Sequence, residues 1–315
     1  MDVLETALSR FRFSKTLYCA HCTNRAPWGV GLAEARAVQI HAVRSGRAWI
    51  RVHGEQPLAL EAGDFVMVPH GTAHDVMDER DTPIVPVGEQ LAAQQPASPW
   101  VLGFGGNGGA VTEMICAGFA CPAQCNDPLL SFLPKVIHLR RAETASLEPI
   151  LSLAEREMRA GGQATEAVLA RLAEILVVEA VRSYVKTLAP GQAGWLGALH
   201  DPQISRVLLA IHEAPARRWT LAGLASLASM SRTSLATRFR SLVGTSVHAY
   251  IARLRMLAAA SLLEDPKRPK LARVAAEVGY GSEAAFSRAF LREMGYAPTK
   301  LRPRVTGKTV AGRSA

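Results

Sequence analysis

Two segments in the last third of the chain share one alternation of apolar and polar positions. Residues 221–244 (LAGLASLASMSRTSLATRFRSLVG) and 271–295 (LARVAAEVGYGSEAAFSRAFLREMG) each open on a short apolar run, break, and resume at a serine with a helical period that closes at a glycine. Ser231 and Ser282, 51 positions apart, stand where a helix start needs a side chain to accept from its free amides. Leu235 with Phe239, and Phe286 with Phe290, lie four residues apart and predict the buried stripe of each second helix. The pattern therefore predicts two helix-turn-helix units. Between them, residues 246–264 place Val247, Ile251, Leu254, Ala258 and Leu262 at helical spacing, with Pro266 just beyond. A single helix there would hold the two units at one distance, suited to successive major grooves roughly 34 Å apart.

The first 140 residues have the period of strands. Residues 37–52 (AVQIHAVRSGRAWIRV) surround a Ser-Gly turn and predict a hairpin, and residues 58–74 repeat the idea with turns at Gly63-Asp64 and Pro69-His70-Gly71. Short strands at this interval argue for a small β-barrel or sandwich. Residues 143–158 and 166–188 read as two helices, the second with a broad apolar face of Leu169, Leu172, Ala173, Leu176, Val177, Ala180 and Tyr184. Residues 189–198 (APGQAGWLGA) read as a linker, and residues 101–111 and 307–315 as loose segments. The glycines of 103–109 lack the strand-helix unit and the G-K-[ST] sequence of a nucleotide loop.

Charge separates the two halves. Residues 200–315 hold 19 Lys+Arg against 7 Asp+Glu, whereas residues 1–199 hold 17 against 20, so the net +9 belongs to the C-terminal third. Such asymmetry points to a polyanionic partner. No apolar run of about 18 residues offers a membrane span, and MDVLETALSRFRFSK at the start lacks an apolar signal region, so a cytoplasmic protein is expected. No Ser/His/Asp set or paired carboxylates emerge by spacing, and no catalytic residue is assigned.

The double unit, its joining helix and GYGSEAAFSRAFLREMGYAPTKLR (279–302) resemble the DNA-binding domain of the AraC/XylS family of bacterial transcription regulators, over about residues 200–304. The resemblance implies double-stranded promoter DNA as partner, with Ser231, Arg232, Thr233, Ser234, Ala236 and Thr237 at the groove in the first unit, and Ser282, Glu283, Ala284, Ser287 and Arg288 in the second. Arg288 can donate two bonds to a guanine edge, Glu283 can accept from cytosine N4, and Thr233 or Thr237 can touch a thymine methyl or a phosphate. Arg238 and Arg240 suit phosphates, which position without specifying. The family likeness also implies a homodimer formed through the helices at 143–188, and RNA polymerase as a further partner.

Upstream, the spacing G-D-x-x-x-x-P-x-G-x-x-H (63–74), with CAHCTNRAPWGV (19–30) before it and NDPLLSFLPKVIHL (126–139) after it, resembles the cupin-type sensor domain of one AraC subgroup, over about residues 5–140. Metal-binding cupins use three histidines and a glutamate. Here His41 and His74 occupy plausible positions, but Val43 replaces the second histidine, so a metal-free pocket with no cofactor is expected. Cys19, Cys22, Cys116, Cys121 and Cys125 allow three readings. They are small buried residues, an oxidant switch such as the resemblance implies for some members, or a zinc site formed for instance by Cys19, Cys22, Cys121 and Cys125.

The expected fold class is α+β: a cupin-like β-barrel with flanking helices (1–140), a helical dimerisation and connector segment (141–188), a linker (189–200), an all-α double helix-turn-helix domain (201–305) and a flexible tail (306–315). The function expected is a DNA-binding transcription regulator responding to a small molecule or to cysteine oxidation. The alternative is a metal-dependent cupin enzyme with a DNA-binding tail.

Overall fold

The period-two segments fold into two mostly antiparallel sheets around a shared apolar interior. The computed structural model describes residues 3–8, 13, 15–94, 101–120, 132–189, 192, 194–263 and 269–301. In spatial order the first sheet holds β11 (Ile137–Leu139), β6 (Phe65–Val68), β3 (Ala37–Ser45), β10 (Val111–Ala120), β1 (Lys15–Arg25) and β9 (Val101–Leu102). The second holds β5 (Leu58–Glu61), β4 (Arg47–Val52), β7 (His74–Met77), β2 (Gly29–Leu32) and β8 (Val85–Pro86), followed by a short helix α2 (Val87–Gln94).

The hairpin expected over residues 37–52 does not form. β3 pairs with β10 and β6, while β4 pairs with β5 and β7 in the other sheet. Gly46 (φ 78°) is the corner, and a side chain there would meet the Val111 carbonyl at 2.4 Å. The reason is burial: β3 is covered on both faces from Ala37 to Val43 and needs a central place, whereas β4 alternates and suits a sheet with one wet face. The turn at Gly63-Asp64 likewise carries the chain from one sheet to the other, since β5 pairs with β4 and β6 with β3 and β11. The segment at 101–111 is not loose either. Phe104 is buried, its amide donates to Asn24 Oδ1 at 3.2 Å, and its carbonyl accepts from the Arg25 amide at 2.9 Å.

Ala20, Cys22, Val43, Ile50, Val66, Val76 and Met114 fill the space between the sheets. The outer face of the first sheet carries α3 (Glu148–Ala160) and α4 (Thr165–Thr187), and Arg44 ties α3 down by donating to both oxygens of Glu148 at 2.6 and 2.7 Å. On α4, Leu169, Ala173, Leu176, Val177, Ala180 and Val181 are buried, while Val168 and Ile175 stay exposed on the opposite side.

Past α4 the expected linker is only partly one. Its second half is α5 (Trp195–Ala198), a single turn whose four residues are all buried and whose preceding Gly194 amide donates to the Leu242 carbonyl at 2.7 Å. An indole placed beside apolar surface is too large a gain to leave in water. Then follow α6 (Pro202–Glu213), α7 (Leu221–Leu227), α8 (Arg232–Val243), α9 (Val247–Leu263), α10 (Leu271–Glu277) and α11 (Glu283–Met294). One core runs from the first sheet through α3 and α4 into α6, α8 and the first half of α9, with Phe65, Phe119, Leu151, Val177, Leu208 and Phe239 among its members. The second half of α9 packs with α10 and α11 in a separate core. A short N-terminal helix, α1 (Val3–Leu8), lies against α6, so the N-terminal and C-terminal halves share apolar packing. Among the described residues no helix is long and apolar enough to cross a membrane.

Candidate DNA interface and sensor site

Both helices expected to enter DNA begin and end as their sequences require. Ser231 Oγ accepts from the Ser234 amide at 3.1 Å and Ser282 Oγ from the Ala285 amide at 3.2 Å. Gly244 (φ 83°) and Gly295 (φ 77°) close the helices in the left-handed conformation that side chains resist. Leu235, Phe239, Phe286 and Phe290 face inward and are fully buried. The helical period then turns Thr233, Thr237 and Arg240 outward on α8, and Ala284, Arg288 and Leu291 outward on α11. Arg232, Ser234 and Glu283 are exposed beside these stripes, and Ser287 is half-buried.

Three features of this face add to what the sequence pattern predicts. Arg238 is held by Asp201, the N-cap of α6, with Nε to Oδ2 at 2.6 Å, and by Gln203 at 3.2 Å, so any phosphate it meets competes with a carboxylate. Thr233, Ser234, Thr237 and Arg238 also line an open cavity of about 670 Å³ shared with His200 and Asp201. Leu291, 52 % exposed, occupies the place in the second unit that Arg240 holds in the first. The 51-residue offset between the units is the signal that would have found it, and its chemistry suits a thymine methyl.

The N-terminal half brings together three of the expected residues and separates others. In a strand, positions three apart point to opposite faces. Cys19 accordingly faces the helices, with its sulfur 3.5 Å from Met158 Sδ, while Cys22 faces the space between the sheets. Burial pushes the Cys19 thiol up to about 12, which leaves it a protonated, inert group. The zinc reading, one of the three left open for these cysteines, fails on this geometry, because Cys19 and Cys22 cannot reach one ion from opposite sides of a sheet. Cys121 and Cys125 lie outside the described residues.

His41, His74 and Cys116 meet between the sheets. The His74 Nδ1 is 2.8 Å from the Thr72 carbonyl, which can only accept, so Nδ1 carries the proton and Nε2 is bare. His41 Nε2, 2.8 Å from that bare nitrogen, must then be the donor, and His41 Nδ1 is left to accept from the Cys116 thiol at 3.3 Å. The hydrogen-bond network thus assigns both tautomers and aligns one proton path from sulfur through two rings to a carbonyl. Burial, and then the neighbouring His74, holds the His41 pKa well below the ordinary imidazole value; burial also lowers that of His74, against the pull of the Thr72 carbonyl and Asp75. Cys22 lies within hydrogen-bonding reach of Cys116 and, ahead of burial, raises the Cys116 pKa well above the usual thiol value. Cys116 nevertheless keeps a partial opening to the surface.

This arrangement does not fit a cupin metal. His41 spends its two nitrogens in opposite directions, so Cys116 and His74 lie on opposite sides of its ring. Among the described residues no three His, Cys, Asp or Glu side chains are grouped to hold an ion. His53 and His70 are exposed.

Paired serine-capped helices with outward arginines, on a basic domain packed against a double-sheet domain, define a DNA-binding transcription regulator. A cupin family model matches residues 2–186, and a helix-turn-helix domain model matches residues 224–304. An AraC-like transcription regulator of Streptomyces lividans is 31% identical over 310 residues, covering 97% of this chain and 99% of that protein. The HTH-type transcriptional regulator AlkR of Acinetobacter baylyi is 26% identical over 306 residues (96% and 99%), and the RCS-specific HTH-type transcriptional activator RclR of Escherichia coli 27% over 289 residues (90% and 92%). Fatty-acid-bound ToxT of Vibrio cholerae aligns over 92% of this chain and 96% of its own, with a TM-score of 0.37 and 13% identity. The chain belongs to the AraC family of transcription regulators, with a cupin domain at its N-terminal side.

Proposed function

We propose that this protein is a cytoplasmic, homodimeric regulator that reads promoter DNA with both helical units, beside RNA polymerase, and that oxidation of Cys116 in its cupin domain is the signal. The observation that carries the signal is the path from Cys116 through His41 to His74, with Cys22 adjacent. The buried side chains of Val43, Ile50, Val66 and Met114 surround this thiol and imidazole group between the sheets. Exposed Leu153, Val168 and Ile175 on α3 and α4 supply apolar surface for the second subunit.

The chemistry balances with a two-electron oxidant of the hydroperoxide class. As sulfur attacks the peroxide oxygen, the thiol proton moves to His41 Nδ1 while the His41 Nε2 proton moves to His74. The leaving alkoxide takes its proton from His41 Nδ1 as His74 returns its own to His41 Nε2, and Cys116 becomes a sulfenic acid. The Cys22 thiol then displaces water from it, so two thiols yield one disulfide and two electrons reach the oxidant. A bond between β1 and β10 would alter the sheet on which α3 and α4 rest, and through them the domain that holds DNA.

Cys116→Ser is expected to leave DNA binding of the reduced protein unchanged and to abolish its response to hydroperoxide, read as fluorescence anisotropy on an operator. A normal response removes Cys116 from the mechanism. For the DNA face, Arg288→Ala is expected to cost about 1–3 kcal/mol at one base position and relax selectivity there. Equal loss on every sequence would show that Arg288 meets only phosphate.

A further inference from the structure

The two helical units touch through more than α9. The α9 helix contributes Val247, Tyr250, Ile251 and Leu254 to one core and Met256, Ala259, Ala260 and Leu263 to the other, with Arg255 at the changeover. Its guanidinium donates through Nε to the Pro215 carbonyl at 2.8 Å, and through Nη2 to those of Ala216 at 3.3 Å and Arg217 at 2.8 Å. These carbonyls end the turn after α6, in the first unit. The same guanidinium lies 5.7 Å from the ring centre of Tyr280, in the turn of the second unit. That turn rests directly on the first: Gly279 (φ 85°) approaches the Ala216 carbonyl so closely that a Cβ would stand 2.3 Å from it.

We infer that Arg255 is a positioning residue that sets the angle between the two DNA-reading units, and hence the spacing of the two boxes in the operator. A helix alone fixes distance but leaves twist about its axis and bending at its ends soft. A half-buried guanidinium that holds three carbonyls of one unit and the aromatic face of the other removes those motions, because its donors are planar and fixed relative to one another. Gly279 permits the contact by leaving room for the Ala216 carbonyl. One added base pair between boxes turns the second box by about 34–36° and moves it about 3.4 Å along the axis, which follows from 10–10.5 base pairs per turn. A rigid pair of units cannot follow that change, whereas a loosened pair can.

The inference rests on both units reading DNA together, and the experiment separates the two ideas. The operator is selected from random duplexes with the full-length wild-type chain, and affinities are measured for that operator, for a version with one base pair inserted between its boxes, and for each box alone. Wild type is expected to lose about tenfold or more on insertion. Arg255→Met is expected to lose less than about threefold, with binding to single boxes unchanged; Arg255→Lys, a point charge that cannot span three carbonyls, should fall between and serves if the methionine variant folds poorly. Variants that keep the wild-type penalty overturn the role of Arg255 while leaving paired reading intact. A wild type indifferent to the insertion overturns both.

Discussion

Tyr250→Ala is expected to destabilise the folded protein by about 3–5 kcal/mol, the range for deleting a large buried ring. Tyr250 has no exposed surface. Its ring stacks on Phe132 at 4.9 Å between centres, meets Phe239 edge-on at 5.6 Å, and its hydroxyl lies 2.7 Å from His212 Nε2. The substitution leaves a cavity and takes the hydroxyl partner from the half-buried His212 imidazole at once. Phe132 follows β10 and precedes β11 and so belongs to the cupin side, where it also stacks on Trp195 at 5.9 Å and lies under Arg253 at 5.5 Å. Tyr250 is therefore part of the joint between the two halves. Urea unfolding should show a lower midpoint, and the single transition should separate into two as the halves lose their shared packing. Tyr250→Phe should cost about 1–3 kcal/mol, from the unpaired imidazole alone. A Tyr250→Ala protein that unfolds in one step, displaced by less than about 1 kcal/mol, would refute the joint.

Acidification from pH 7 to pH 4 is expected to remove about 3 kcal/mol of stability through His212. Burial lowers its pKa from the ordinary 6.5 to about 4. Above pH 6.5 the folded and unfolded chains both hold it neutral, and stability is full. Between 6.5 and 4 the unfolded chain takes up a proton that the folded chain refuses, so stability falls as pH falls, by about 1.4 kcal/mol for each pKa unit. His41 and His74, also depressed, add loss of the same sign. Urea midpoints of wild type and His212→Gln between pH 7 and pH 4 test this, since glutamine keeps a partner for Tyr250 without titrating. Parallel curves for the two proteins would remove His212 from the acid response.

The helix-turn-helix pair was legible because its signals are local. A serine cap bonds an amide three residues on, a glycine closes the last turn, and a stripe four residues apart is buried wherever the helix lies. The strands were legible as strands but not as pairs. Residues 37–52 look like a hairpin because a Ser-Gly turn is indifferent to whether the next strand returns beside the last or crosses to another sheet. Cys19-x-x-Cys22 looked like a chelate or a redox pair for a similar reason: spacing is read along a line, and strand geometry sends the two thiols to different cores. The nearness of His41, His74 and Cys116 had only a partial signal in the cupin-like spacing, since Cys116 reaches His41 through the register of β10 against β3. Arg255 gave no signal at all: it is one of two arginines in an apolar helix, and its three carbonyl partners lie 38 to 40 positions earlier.

Sequence alone determined the family, the two-part α+β plan, the paired units with their caps and outward arginines, and the concentration of positive charge in the last third. These depend on periods, caps and composition that act over a few residues or over whole segments. The tertiary structure decided which cysteine faces which core, how His41 and His74 share their protons, that the supposed linker buries Trp195, that Asp201 engages Arg238, and that Tyr250 and Arg255 join the parts. Each of these depends on the mutual placement of distant segments, which is set by where apolar faces find cover and where buried polar groups find partners. Neither quantity can be read from neighbours in the chain.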